Sequence, residues 1–231
     1  MRGGRGFGRH VVPADGVGGL GELAVPVGDD GVVIGADAQG CPAVLGLHRP
    51  TPYEVTLVGG LWTAQVLALR TAATGARIAV ETGRGEVWSA VALAAGGGGQ
   101  QCVTLHEVGR VPPQGASAGS PVLVIRDCGM RPPRGRVASG PWQSVLTLLP
   151  YLSPTAPRLL RTSALVGVQR VSPQEAERIG TLMRLPEAAT ASLPTLGDGV
   201  TLWCTPQDRT FALTEPTAEE TTLLGPARRI D

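Results

Sequence analysis

The chain is organised around the stretch Glu54-Val-Thr-Leu-Val-Gly-Gly-Leu-Trp-Thr-Ala-Gln65. It opens with an apolar run rich in β-branched residues, which predicts a buried strand. After the Gly59-Gly60 turn, small and apolar residues recur at helical spacing from Leu61 to about Thr74, and Gly75 is of the type that ends helices. A second apolar run at 76–80 predicts another buried strand. This order is a β-α-β unit, which builds parallel sheets.

Further apolar runs extend this alternation in both directions along the chain. Upstream, the runs 31–36 and 43–47 flank turn residues and predict a β-hairpin. Downstream, we expect helices at 86–95, 142–149, 173–184 and 186–192, strands at 102–105, 121–125 and 164–168, and a hairpin at 199–204 and 210–213. The fold class predicted is α/β, with three layers and a mostly parallel sheet that carries N-terminal and C-terminal β-hairpins.

Length and composition predict one domain with two polar ends. The chain has 231 residues, of which 42% are hydrophobic, so a sizeable core is expected. Residues 1–19 are rich in Gly and Arg and are expected to be disordered, residues 20–214 to form a single α/β domain, and residues 215–231 to form a loose polar tail. The formal net charge is +1, so no overall charge directs the chain to nucleic acid or to a membrane surface.

The four cysteines are scattered and have no spacing typical of a metal site. Together with only three histidines, they make a zinc site unexpected, and no metal or other cofactor is predicted. Free thiols are typical of a reducing compartment, and the Arg- and Gly-rich N-terminus does not read as a signal peptide. We therefore expect a cytoplasmic protein.

The order of these elements resembles the motor domain of FtsK/SpoIIIE-type P-loop ATPases over about residues 30–215. In this resemblance Gly59 to Gln65 lies where the phosphate loop would be, and Val122 to Asp127 lies where the strand with the Mg²⁺-linked acid would be. The resemblance implies a RecA-like P-loop fold.

The motifs of that family are incomplete in this chain. The family's loop is GxxxxGK[ST], whereas all twenty cationic side chains here are arginine and the chain has no lysine to reach the phosphates. Arg126 precedes Asp127, so the usual pair of consecutive acids is absent. The resemblance implies a degenerate nucleotide site made of Gly59, Gly60, Thr63, Gln65 and Asp127. We expect no catalytic residues and no enzymatic activity.

Composition narrows the resemblance further. The chain lacks both lysine and asparagine, as GC-rich genomes favour, and Val-Gly-Gly-Leu-Trp-Thr-Ala-Gln resembles type VII secretion proteins of actinobacteria, in particular the EccE-type accessory component. The resemblance implies a non-catalytic, ATPase-like interaction or scaffold module of a secretion or translocation complex. Protein partners are then expected, with membrane contact only through a partner.

Aromatic and basic residues are the candidates for contact with such partners. Trp62 is expected to pack or to contact a partner, and Trp142 favours a partner surface, since Trp is favoured in interfaces. The predicted loop after residue 125 is rich in arginine and contributes Arg126, Arg131, Arg134 and Arg136. An ordinary solvated loop is the alternative interpretation, and a nucleic-acid contact is unexpected at a net charge of +1.

A Rossmann-like dinucleotide-binding enzyme or sensor is the alternative function. The turn Gly59-Gly60 would place a pyrophosphate at the N-terminus of the following helix, with Ala64 at the position of the third glycine. Glu81 follows the next predicted strand, about where a ribose-binding acid would lie.

Overall fold

One sheet of ten strands runs through the part of the chain that the computed structural model describes, which is residues 31–96, 101–129, 135, 137, 140–154 and 156–229. The strands are β1 (Val32–Ala36), β2 (Pro42–Leu45), β3 (Tyr53–Val58), β4 (Arg77–Thr82), β5 (Val103–His106), β6 (Val122–Asp127), β7 (Gln143–Leu149), β8 (Leu165–Val168), β9 (Val200–Cys204) and β10 (Arg209–Leu213). Their order is β2-β1-β10-β9-β8-β3-β7-β6-β4-β5. The strands from β8 to β5 are parallel, and the four from β9 to β2 pair antiparallel.

Helices cover both faces of this sheet and give the predicted three layers. They are α1 (Leu61–Ala73), α2 (Glu86–Ala95), α3 (Ala156–Thr162), α4 (Pro173–Met183), α5 (Glu187–Ser192) and α6 (Ala218–Leu224). Side chains of α1 and α2 pack in one core cluster, with α6 against α1, and side chains of α3 and α4 pack in a second cluster on the other face. Within the described residues, no helix is long and apolar enough to cross a membrane.

Most predicted elements are present close to their predicted bounds. The hairpins β1-β2 and β9-β10 are confirmed, as are β3, β4, β6 and β8. The helix whose N-terminus has the capping box of Ser172 and Glu175 is also confirmed. The central strands are buried on both faces, as the continuous apolar runs predict for a parallel sheet. The α/β fold class is therefore confirmed.

The prediction of a short helix at 142–149 is wrong, because this segment is β7, the strand between β3 and β6. All seven of its residues are buried. A short apolar run does not distinguish a buried strand from a buried helix by periodicity, since both need apolar side chains on every side. The neighbouring strands β3 and β6 satisfy its backbone groups. This long-range pairing is not visible in the local sequence.

The prediction of a loose tail after residue 214 is also wrong. Helix α6 begins with a capping box in which the Thr217 hydroxyl accepts from Glu220 N–H and the Glu220 carboxylate accepts from Thr217 N–H. The same carboxylate accepts two hydrogen bonds of 2.8 Å from Arg70 on α1. Thr217 and Glu220 have the spacing of a capping box, so the sequence contained this signal.

Arg184 ends helix α4 in the left-handed conformation, with φ 53° and ψ 47°. This region is unfavourable for a residue with a Cβ, and the Arg184 side chain is exposed. We expect Arg184→Gly to raise the free energy of unfolding by about 0.5–1 kcal/mol, measured by urea denaturation. Arg184→Ala, which keeps the Cβ, should give no gain. Equal gains in both variants would assign the effect to the lost side chain and not to the backbone.

Candidate functional site

The turn between β3 and α1 consists of Gly59 and Gly60 alone. Gly60 is the N-cap of α1 and has an extended backbone, with φ −83° and ψ 160°. The strand therefore passes directly into the helix, without the longer loop whose backbone amides could surround a phosphate. Both glycines are buried.

The side chain of Gln169 occupies the N-terminal end of α1. Its Oε1 atom accepts a 2.7 Å hydrogen bond from Gly60 N–H, and its Nε2 atom donates a 2.7 Å hydrogen bond to the Thr63 hydroxyl. Gln169 follows β8 directly and is 1% exposed. A Cβ on Gly59 would lie 2.5 Å from Oε1, so the Gln169 side chain would have to move to admit a larger residue there. The donor that an anion would use at this helix end is thus engaged by the chain itself.

The C-terminal segment 225–229 lies across the same turn. A Cβ on Gly60 would lie 2.6 Å from the carbonyl oxygen of Arg229. The Arg229 guanidinium donates 2.8 Å and 2.7 Å hydrogen bonds to the carbonyls of Arg170 and Pro150. The indole N–H of Trp62 donates to the Gly225 carbonyl at 3.1 Å. These contacts hold the segment over the position that a phosphate loop would occupy.

The acid at the end of β6 is fully engaged within the protein. Asp127 accepts hydrogen bonds of 2.9 Å and 3.0 Å from the Arg84 guanidinium, 2.9 Å from the Trp88 indole and 3.2 Å from the Thr82 hydroxyl. Its side chain is 0% exposed, whereas that of Arg84 is 40% exposed. Arginine thus supplies the positive charge opposite this carboxylate. Asp127 would have to lose these partners to ligate Mg²⁺.

A second ion pair lies beside it, at the ends of β4 and β6. Arg126 Nε donates to Glu81 at 2.6 Å, and Glu81 also accepts from Gly109 N–H at 2.7 Å. Arg126 donates further to the Gly135 carbonyl at 2.9 Å. The prediction that Arg126 lies in a loop is wrong, because it is the penultimate residue of β6 and is 8% exposed.

A cavity of about 520 Å³ adjoins the glycine turn. It is lined on its charged side by Arg84, Arg170, Arg229 and Glu175. Arg84 faces Asp127, and Arg170 donates to Asp198 at 2.8 Å. Burial alone would raise the pKa of Glu175, but hydrogen bonds from Leu152 N–H and Ser172, with a smaller effect of the Arg229 charge, hold it below its ordinary value of 4.5. Arg84 and Arg170 thus each face a carboxylate, and the Arg229 guanidinium is held by two backbone carbonyls.

The structure brings some of the other predicted residues to this site and separates others. Thr63 is buried against Gln169, and the Gln65 amide donates to the Val87 carbonyl at 2.7 Å. Packing and a partner contact were the two roles expected of Trp62, and the structure shows packing, since Trp62 is 0% exposed in the core. Trp142 lies directly before β7, at the opposite ends of the parallel strands from the glycine turn, and is half-buried. Arg131, Arg134 and Arg136 lie outside the described residues.

We call the Gly59-Gly60 turn, the N-terminal end of α1 and Asp127 the phosphate corner. The residues that fill this corner were not predicted from sequence. Gln169 carries one weak signal, because it is a polar residue directly after the apolar run 164–168. Arg84 lies in a glycine-rich turn and Arg229 in the predicted tail, and neither position has a motif that points to this site. Their roles depend on contacts 43 to 109 residues apart, such as Arg84 with Asp127 and Gln169 with Gly60.

The Rossmann-like alternative does not fit the sheet. Its ribose-binding acid must lie on the strand next to the glycine turn, because one dinucleotide spans both positions. Here β7 and β6 separate β3 from β4, which carries Glu81. Glu81 is also 1% exposed and is paired with Arg126.

The glycine turn after β3, the acid at the end of β6 and the strand between them define a RecA-like P-loop fold. VirB4 of Thermoanaerobacter pseudethanolicus has this fold in common with the chain, at a TM-score of 0.54 and 11% identity over 83% of this chain and 98% of that one. The packaging NTPase B204 of Sulfolobus turreted icosahedral virus 2 gives 0.47 at 13% identity, covering 73% and 98%. EssC (ATPases 2 and 3) from Geobacillus thermodenitrificans gives 0.48 at 10%, covering 87% and 41%. No family profile and no curated protein matches the sequence.

The residues at the corner do not fit the Mg²⁺–nucleotide that this fold class implies. The turn is filled by Gln169 and covered by Arg229, and the acid strand ends in an arginine-bound Asp127. The chain has no lysine for the phosphates. The arrangement provides internal contacts at the positions where a phosphate and its metal ion would lie.

The pair of Arg84 and Asp127 should respond asymmetrically to substitution. Arg84→Met leaves a carboxylate that is 0% exposed without its counter-charge, so we expect a loss of about 3–4 kcal/mol in the free energy of unfolding. Asp127→Asn leaves an arginine that can reach water, so the loss should be about 2 kcal/mol. Chemical denaturation of both single variants and the double variant measures these values. The exposed pair of Arg170 and Asp198 is the control, and Arg170→Met should cost less than about 1 kcal/mol. Equal losses at the two pairs would contradict this account.

Acid should weaken the attachment of α6 through Glu220. Burial alone would raise the pKa of Glu220, but hydrogen bonds from Arg70 and Thr217 and the Arg70 charge hold it below its ordinary value of 4.5. A carboxyl group with a lowered native pKa adds stability at pH values above its unfolded pKa. This stability is lost as the pH falls below about 5. Urea midpoints measured as the pH is lowered below 5 should therefore decline less steeply in Glu220→Gln than in the unsubstituted chain. The exposed Glu177→Gln should keep the original slope, and the same flattening there would contradict the assignment.

Proposed function

We propose that the chain is a non-catalytic, ATPase-like interaction module of a protein secretion or translocation complex, in the cytoplasm of an actinobacterium. The observation that carries the proposal is the filled phosphate corner, in which Gln169 binds Gly60 N–H and Arg229 lies against the same glycine. A P-loop fold whose ligand position is taken by its own chain keeps the shape of the fold without the nucleotide.

Displacing these internal contacts would be costly for a nucleotide. A phosphate at Gly60 must remove the Gln169 amide from two hydrogen bonds of 2.7 Å in a buried position. Each buried group left without its partner costs about 1–3 kcal/mol. In a nucleotide-binding P-loop the lysine contributes charge that offsets such costs, and this chain has none.

The secretion assignment is supported by the resemblance of the sequence to type VII components and by the fold in common with VirB4. The four free cysteines, Cys41, Cys102, Cys128 and Cys204, favour a reducing compartment. Burial raises the pKa of Cys128 to about 12 and that of Cys204 to about 11, so both thiols stay protonated and unreactive at neutral pH. The partners proposed are proteins of the complex.

Calorimetric titration of the purified chain with ATP and ADP in the presence of Mg²⁺ tests the non-catalytic part. We expect no binding heat, no hydrolysis and no thermal stabilisation. Binding would be easy to detect, because a ligand at 100 times its Kd would add about 2.7 kcal/mol to the free energy of unfolding. Gln169→Ala, which empties the corner, should remain inactive because the lysine is still missing. Binding by the unsubstituted chain would overturn the proposal. Binding by Gln169→Ala alone would keep the blocked corner and reject the argument from the missing lysine.

Co-purification from an actinobacterium tests the interaction part. A tagged chain should carry with it an FtsK/SpoIIIE-type secretion ATPase of the same cell. The double variant Asp127→Asn, Arg84→Met is the control for fold integrity. It should contain less folded protein and should therefore capture less of the partner. A chain that enters no secretion or translocation complex would contradict the assignment.

A further inference from the structure

A surface groove of about 760 Å³ lies between helices α1, α2 and α6. Most of the surface that it exposes is apolar, and its apolar lining residues are Leu69, Ala73, Ala94, Ala218 and Leu223. Leu69 and Ala73 belong to the last five residues of α1, whereas Gly60 precedes the first residue of that helix. The groove is therefore at the other end of α1 from the phosphate corner.

Helix α2 extends this apolar surface beyond the groove. Its exposed side includes Val87, Ala90, Leu93 and Ala94, and Leu93 is 80% exposed, more than any other large apolar side chain of the described residues. The only charged residue of α2 is Glu86, although a surface helix normally turns charged and polar side chains to water. Ala94 also lines the groove, so the two apolar surfaces are continuous. A continuous apolar surface of this kind indicates that another segment covers it.

The chain enters the described fold beside this groove. Arg70, which lines the groove, donates a 3.4 Å hydrogen bond to the Val33 carbonyl. Val33 is two residues from Gly31, the first described residue, and residues 1–30 lie outside the described part of the chain. The four residues 28–31 can span up to about 14 Å when extended. The segment that precedes them is therefore within reach of the groove.

The sequence of that segment has the apolar character that the groove requires. Residues 20–27 read Leu-Gly-Glu-Leu-Ala-Val-Pro-Val, and Glu22 is their only charged residue. Pro26 disfavours a helix and is compatible with an extended backbone. Alternate residues share one side of an extended segment. On one side these are Leu23, Val25 and Val27. That side can contact an apolar groove while Glu22 on the other side stays in water.

We propose that residues 20–27 bind in this groove of their own chain as an extended segment, with Leu23, Val25 and Val27 directed into it. Attachment at Gly31 gives the segment an effective concentration of about 1 mM at the groove, which favours it over a second copy of the chain at lower concentration. The bound segment covers apolar surface of α1, α2 and α6. The inference does not depend on the phosphate corner and stands whether or not a nucleotide binds there.

Thiol alkylation of the full chain tests this cover. Ala94→Cys places a thiol in the groove, and its modification by iodoacetamide is followed by peptide mass spectrometry, so the native cysteines are retained. A covered thiol reacts only while the segment is away from the groove. Val25→Asp brings a charge to the apolar side of the segment, and we expect it to raise the alkylation rate of Ala94→Cys at least about tenfold. Ala73→Cys, on α1, should respond in the same way.

Two variants serve as matched controls. Ala24→Asp adds the same charge on the opposite side of the segment and should leave the alkylation rate of Ala94→Cys unchanged. Glu177→Cys places an exposed thiol on α4, which packs on the other face of the sheet, and its rate should be the same with and without Val25→Asp. The rates should not depend on protein concentration between about 1 and 100 µM, because segment and groove belong to one chain.

Several results would overturn the inference. An Ala94→Cys rate that Val25→Asp does not change shows that the segment does not cover the groove. Equal acceleration by Ala24→Asp rejects contact through the apolar side, and protection that grows with protein concentration assigns the groove to a second copy. Methyl NOE spectra of the unsubstituted chain decide the question even where a variant folds poorly. Contacts between Val25 and Leu223 or its neighbours in the groove are expected there, and their absence rejects the docking.

Discussion

The hydrogen bonds of Gln169 are the constraint on which the rest of the phosphate corner depends. Because only two glycines separate β3 from α1, the first amide of the helix is buried and needs an acceptor inside the protein. Gln169 provides the acceptor with Oε1 and uses its other amide atom on Thr63, so both ends of the side chain are fixed. These two bonds connect β8 to the start of α1, and they place the Gln169 side chain where a Cβ on Gly59 would meet it.

Two internal ion pairs add to the contacts that Gln169 makes at the phosphate corner. The two pairs, Arg84 with Asp127 and Arg126 with Glu81, lie at the same ends of the parallel strands where a phosphate and its metal would bring charge. Buried ion pairs contribute little net stability relative to apolar residues, but removing one partner is expensive. The pairs therefore make this edge intolerant of single changes without making the fold much more stable. Such an edge specifies one arrangement of β4, β6 and α2.

The sequence predicted what depends on local patterns and missed what depends on distant partners. Apolar runs located β3, β6 and β8, and the capping box at Ser172 located the start of α4, because periodicity and caps are local properties. The strand β7 was missed since its burial on two faces comes from neighbours far along the chain. Trp62 was a candidate for packing or for a partner contact, and its burial in the core, with its indole bonded to Gly225, depends on residues far along the chain. The acid Asp127 was located correctly at the strand end, but its partner Arg84 has no sequence signal.

An internal occupant differs in kind from a bound ligand. A nucleotide shifts the population of a P-loop protein only by its differential affinity for two states, and its occupancy follows its concentration. The Gln169 side chain and segment 225–229 belong to the same molecule, so their effective concentration at the corner is constant. Under the proposed function, the corner is held in one state at every nucleotide concentration, and the fold has no nucleotide cycle that would move its strand ends.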